Sequence, residues 1–362
     1  MKLNGLLSHR ILTTFLAGAV LQGCEYLPHS AKVDLTPEQI EKVIDKAQPA
    51  NSAIMRAFAT HQVVGLGDYH WNDAFIFQAI ELIRDPEFAK EVQHVVVEFG
   101  NAKHQELLNQ YLRGEDVPDY ELQQVVRDSI YFMAWTPEVY LSFFKAVREQ
   151  NKTLPLEQQI IVHLAEAPFD WTTVKSEKTW KKAAKSKTDY FYKVTEEILN
   201  QGDKALLIFG AFHLVQAPAQ YVTENSEAMW PLATRLEKHF PEQVYLVWPM
   251  TEAVVLDRFS SASSPSILPV STTPLASTRF IDLLPKSRFK LADMGEMNAK
   301  TGDLFDAFLY VSENKRSEVF PKAMMEDKAW LDEMDRRLEI IGGKMQEKFV
   351  SIKEQSEAHY GL

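Results

Sequence analysis

The sequence predicts an α/β fold, with a mostly parallel central sheet, helices on both faces and a C-terminal helical extension. Three observations carry the prediction. Short apolar runs recur along the chain, at Val63–Leu66, His94–Glu98, Gln159–Leu164, Ala205–Phe209 and Val244–Trp248. Between them, apolar residues fall at helical spacing, as in Phe75, Ile76, Ala79, Ile80 and Ile83. The 362 residues are 46% hydrophobic and 25% charged, ample for a large core.

Taken in order, the chain opens on a segment outside the fold. Lys2 and Arg10 precede an apolar run from Ile11 to Leu21, which is too short to span a bilayer and has the length of a signal peptide. It ends in Leu21-Gln22-Gly23-Cys24, which resembles a bacterial lipoprotein processing box with Cys24 as the lipidated residue. Cys24 is the only cysteine, so the processed chain would carry no disulfide. Cleavage would take the formal charge from −11 to −13 by removing Lys2 and Arg10. Glu25 then follows the anchor, and by resemblance to Gram-negative sorting rules this implies an outer-membrane location in the cell envelope. Such a negative balance argues against nucleic-acid binding, which needs a basic face for phosphates.

Residues 24–45 read as a tether and first helix, with Thr36 as N-cap and Pro37 at the first helical position. Residues 46–320 form the α/β domain. Its helices are expected at Asn72–Arg84, around Leu107–Leu112, at Asp119–Asp128, from Pro137, and from Glu177 to about Gln201. The lysines at 181, 182, 185 and 187 read as a solvated helix face. The Ser-, Thr- and Pro-rich stretch 259–277 reads as an exposed loop, and Asp303–Val311 as a last strand. Residues 321–362 form the helical extension, carrying Trp330, Met334, Leu338, Ile341, Met345, Phe349 and Ile352. Gly342-Gly343 interrupts it. It packs on the domain or pairs with a second copy as a homodimer.

The chemistry gathers at three strand ends. Gly67-Asp68-Tyr69-His70 and Gly210-Ala211-Phe212-His213 repeat a Gly-x-x-His spacing after apolar runs, and Glu98 ends a third. In open parallel sheets ligands lie beyond the carboxyl ends of the strands, so these side chains can converge. Two imidazoles and a carboxylate suffice for a catalytic divalent metal with one position open to water. Without metal, a carboxylate-oriented histidine can act as general base on water. The glycines are expected to let the backbone turn sharply and to leave room for a substrate. Taken singly, such histidines would be structural residues and Glu98 a cap or ion-pair partner; the repeated motif is what favours a site.

These motifs resemble the superfamily of erythromycin-esterase-like hydrolases, Tiki/TraB metalloproteases and ChaN-like haem-binding lipoproteins. The resemblance runs from Gln62 to Leu214 and weakly to Val311; Tyr111-Leu112-Arg113-Gly114-Glu115 is similar to the ChaN-like branch. It implies site roles for His70, Glu98 and His213, as catalytic groups or metal ligands, and for Asp68, which stands where the family usually has Glu. Tyr69, Arg127, Glu166, Asp170 and Asp189 match polar pocket positions for a cofactor or ligand; Glu166 and Asp170 could equally cap the following helix.

Phosphate-binding, dinucleotide, zinc-helix and serine-elbow motifs are absent, and no cysteine is left to act as nucleophile. The leading expectation is an envelope lipoprotein hydrolase acting on an ester or amide of a small molecule or peptide. The alternative is a haem or iron carrier in which a histidine or Tyr69 ligates iron, near Tyr131, Phe132 and Trp135. A third is a degenerate member used in surface assembly.

Overall fold

The computed structural model describes residues 33–185, 187–283, 299–314 and 316–362. The signal peptide, Cys24 and most of the tether lie outside the described residues. Eight strands form one sheet in the order β1-β7-β8-β6-β2-β5-β3-β4. They are β1 (Gln48–Pro49), β2 (Val63–Asp68), β3 (His94–Asn101), β4 (Ile161–Glu166), β5 (Ala205–Gly210), β6 (Val244–Pro249), β7 (Ser266–Pro269) and β8 (Ala307–Tyr310). Six run parallel; β7 pairs antiparallel with both β8 and β1 at one edge.

Alternation along the inner strands splits the core in two. Leu207 and Phe209 of β5 face helices Lys187–Leu199 and Leu232–His239. Leu206 and Ile208 face helices Asp73–Ile83, Gln105–Leu112 and Val139–Asn151. Both faces of these strands are therefore dry, which is why they read as continuous apolar runs. A third cluster joins the segment Ile130–Met133, Trp171 and Trp180 to the C-terminal helices Lys328–Ile341 and Gly343–Tyr360. Gly342 and Gly343 both sit at positive φ, +67° and +60°, which separates the two helices. Among the described residues no helix is long and apolar enough to cross a membrane.

Arg337 locks the extension to the body. Its buried guanidinium meets Asp128 at 3.0 Å and Glu333 at 2.7 Å, donates to the Arg127 carbonyl, and lies 4.8 Å from the Trp171 ring centre. The buried guanidinium is thus paired with two carboxylates, so its charge is not stranded.

Local signals act as the residue types require. Thr36 caps helix Pro37–Ile44 in a reciprocal box with Gln39, and the Asn72 side chain accepts from Ala74 at the start of its helix. The stretch 259–277 departs from expectation: it contains β7, whose Ile267 and Leu268 point into opposite halves of the core. The strand is four residues long near the sheet edge, where proline at its end costs no ladder bond. The expected helix from 177 to 201 is helical over the described residues Glu177–Lys185 and Lys187–Leu199. Helices Ala50–Ala57 and Leu232–His239 were not foreseen, each being barely two turns.

At the amino ends of β3 and β4, His94 Nδ1 lies 3.0 Å from His163 Nε2, with the rings stacked. Burial lowers both imidazoles, His163 to about 4. The unfolded chain then binds protons that the folded one refuses, so stability is complete above pH 6.5 and is lost as pH falls from there toward 4. Between pH 7 and 4.5, the wild type is expected to lose more unfolding free energy than His163→Leu by on the order of 2–3 kcal/mol, a difference that isolates this imidazole from other titrating groups.

Candidate active site

Strand order does the positioning. β5 lies between β2 and β3, and the register sets Asp68 beside Gly210 at the carboxyl ends. Glu98 follows Val97, the last β3 residue paired with β5, at Ile208. His70 lies just beyond β2 and His213 just beyond β5.

Asp68 is buried, and its Oδ2 accepts from His70 Nδ1 at 2.7 Å and from the Tyr140 hydroxyl at 2.9 Å. This fixes the His70 tautomer with the proton on Nδ1, leaving Nε2 as the basic nitrogen. The ring stands edge-on against Trp135, centroids 4.5 Å apart. Burial would lower the His70 imidazole, but the hydrogen bond and charge of Asp68, with Glu98 adding, outweigh it and raise the group above its ordinary value. Trp71 directly after it takes φ +71°, a strained conformation for a non-glycine, held by its indole N–H on the Met133 carbonyl at 3.0 Å.

Glu98 is the second anchor. Its Oε2 accepts from Gly210 N at 2.7 Å; its Oε1 lies 3.2 Å from Lys187 Nζ and 3.3 Å from His213 Nε2. Burial opposes ionisation, yet His213 and the Lys187 ammonium hold the carboxyl well below its usual range. Glu98 in turn keeps Lys187 raised despite its burial, while His213, desolvated against Phe191, is lowered. The two histidines are therefore pushed apart: His70 is the stronger base and His213 stays neutral.

The glycines act through space rather than through a turn. Neither Gly67 nor Gly210 takes positive φ, contrary to the expectation of a sharp glycine turn. A β-carbon at 210 would stand 2.9 Å from His70 Cε1 and 3.1 Å from both His70 Nε2 and Glu98 Oε2. The imidazole and the carboxylate thus share the space that glycine leaves empty.

His70, Glu98, His213 and Asp68 are brought together. Of the five pocket positions, one is near them. Glu166 is buried at the end of β4, where its Oε1 accepts from Ile130 N at 2.6 Å instead of capping a following helix; burial pushes it up to about 8, so it is a neutral acid at pH 7. Tyr69 packs on the core beneath the Arg316 guanidinium. Arg127 pairs with Asp327 at 2.8 Å, Asp170 caps the short turn Trp171–Thr173, and Asp189 pairs with Arg235 on the surface. None of these four touches the His70–Glu98 cluster in any described hydrogen bond or ion pair.

Lys187 is the residue missed. Assigned to a solvated face with lysines 181, 182 and 185, it lies on helix Lys187–Leu199, four residues before Phe191 on the buried stripe. That spacing was the available signal. Tyr140 lies on the helix expected from Pro137, and its hydroxyl function on Asp68 has no local sequence signature.

The donors do not fit a resident metal. Among the described residues no group of three or more His, Cys, Asp or Glu side chains is arranged to hold one. Both Glu98 oxygens are engaged, one by an ammonium in the place where a cation would sit. His70 Nδ1 is held by Asp68.

No family model and no curated protein matches the sequence. Solved structures do match. A succinoglycan biosynthesis protein superposes with a TM-score of 0.51 at 8% identity, over 78% of this chain and 98% of its own. A Bacillus cereus protein gives 0.50 at 9% identity, over 78% and 99%. A mutant erythromycin esterase in its open conformation gives 0.50 at 10% identity, over 74% and 94%. The chain has the fold of these three proteins.

Two outcomes are expected of the site itself. Lys187→Met strands a buried carboxylate and should cost on the order of 3 kcal/mol in denaturant unfolding, recovered in large part by adding Glu98→Gln. Gly210→Ala should displace the His70 ring, seen as an altered imidazole titration by NMR, with the unfolding midpoint little changed.

Proposed function

We propose that the chain is a hydrolase of the erythromycin-esterase-like kind, using His70 as a metal-independent general base on water against an ester or amide. The observation that carries the reading is the Asp68–His70 pair, which presents a basic Nε2 toward the Glu98–Lys187–His213 cluster. The fold shared with an erythromycin esterase supports it. The anchor at Cys24 would place the enzyme in the cell envelope.

In this reading a water proton passes to His70 Nε2 as the water oxygen attacks the carbonyl carbon. The carbonyl electron pair moves onto its oxygen, where Lys187 and the buried Tyr131 hydroxyl are the donors at hand. Lys187 Nζ lies 4.7 Å from the Tyr131 ring centre, and among the described residues that hydroxyl has no hydrogen-bond partner. Collapse of the adduct expels the alkoxide or amine, which takes the proton back from the His70 imidazolium. Asp68 holds the ring and stabilises that imidazolium.

Hydrolysis of an ester panel by the mature chain tests this. His70 must be neutral to accept a proton, and its titration is raised, so kcat/KM should climb as pH passes above the ordinary histidine range. Asp68→Asn should shift that acidic limb to lower pH and reduce kcat by about 10²–10⁴-fold. Hydrolysis that survives His70→Ala would sink the reading. Haemin added to the same preparation is the contrasting arm: a Soret band lost in His70→Ala would assign the site to iron ligation instead.

A further inference from the structure

A second cavity of about 230 Å³ lies where the C-terminal helices meet the body. Its wall is mixed: Phe132, Trp135, Leu141, Met324 and Trp330 form an apolar part, and Gln123, Thr136 and Ser142 stand among them. His70, Glu98, Lys187 and His213 are not part of it; Trp135, edge-on to His70, is the residue common to both. Two exposed charges of opposite sign, Glu138 and Lys145, also line the cavity, and among the described residues neither has an ion-pair partner. They are seven residues apart at the start of helix Val139–Asn151 and within it, two turns along one face and about 10 Å along its axis. The other charges of the wall, Arg127 and Asp327, neutralise each other at 2.8 Å. A further observation points to a ligand. Trp135 is buried, yet among the described residues its indole N–H has no acceptor. A buried donor left unmatched is costly unless something else completes it.

We propose that this cavity binds a zwitterionic ligand with an aromatic or apolar body, of dipeptide size. The carboxylate would meet Lys145, the ammonium Glu138, the peptide carbonyl would accept from the Trp135 indole N–H, and the side chain would lie on the apolar part of the wall. The volume is below the roughly 300–1,000 Å³ of pockets for drug-sized ligands, which suits a molecule this small. An extended dipeptide spans about 7 Å, and the two flexible side chains lean in to close the remainder. Occupancy would be felt at His70 through Trp135. The site stands whether or not His70 catalyses hydrolysis.

Calorimetry with L-alanyl-L-phenylalanine, 3-phenylpropionate and phenethylamine tests it, alongside the Trp135 indole N–H resonance, assigned with Trp135→Phe. The dipeptide should bind saturably, more tightly than either single-charge probe, and shift that resonance. Lys145→Glu and Glu138→Lys should each weaken it about tenfold, one ion pair's worth. Ala323→Trp, at an exposed wall position, should abolish binding with unfolding unchanged. Binding should persist in His70→Ala. Equal affinity for the three probes, no saturable binding, or binding indifferent to Ala323→Trp would overturn the proposal.

Discussion

A buried carboxylate in the middle of a parallel sheet sets the terms for everything around it. Glu98 has almost no contact with water, and an unpaired charge there would cost several kcal/mol. Its two oxygens are therefore matched by a backbone N–H, an ammonium and an imidazole. Each partner comes from a different part of the chain. Gly210 must lie beside it on β5, Lys187 must reach it from helix Lys187–Leu199, and His213 must turn back over the strand end. Lys187 falls three residues after the buried Ala184 and four before the buried Phe191, so helical spacing puts it on the dry stripe.

Charge also separates the two histidines. Both are desolvated, which by itself lowers an imidazole. His70 has a private carboxylate in Asp68 and is raised. His213 shares Glu98 with a permanent cation, and the ammonium cancels much of what the carboxylate offers. Two identical residues at equivalent strand ends thus acquire different basicities, because one has a carboxylate of its own and the other is desolvated and shares one with a lysine.

The C-terminal helices take part in this arrangement. Arg337 grips Asp128 and the Arg127 carbonyl, at the head of the segment that carries Ile130, Tyr131 and Trp135. Ile130 N fixes Glu166, the Tyr131 ring lies under Lys187, and Trp135 backs His70. The extension thus steadies one wall of the site as well as covering apolar surface.

The sequence by itself determined the fold class and the elements with strong local signals. The buried strands were legible because both of their faces are dry, and helix Pro37–Ile44 because its cap is written in adjacent residues. His70 and His213 were legible because a strand running into Gly-x-x-His puts a side chain at a carboxyl end whatever the rest of the chain does, and Glu98 because it follows a run of three valines. Strand order, the place of β7, the partner of Tyr140 and the burial of Lys187 were decided only in three dimensions. Each depends on which distant segment lies alongside, and pairing across 89 residues, as between Glu98 and Lys187, leaves no local trace. Periodicity reports the side of an element that is dry; it does not report which charge will be waiting there.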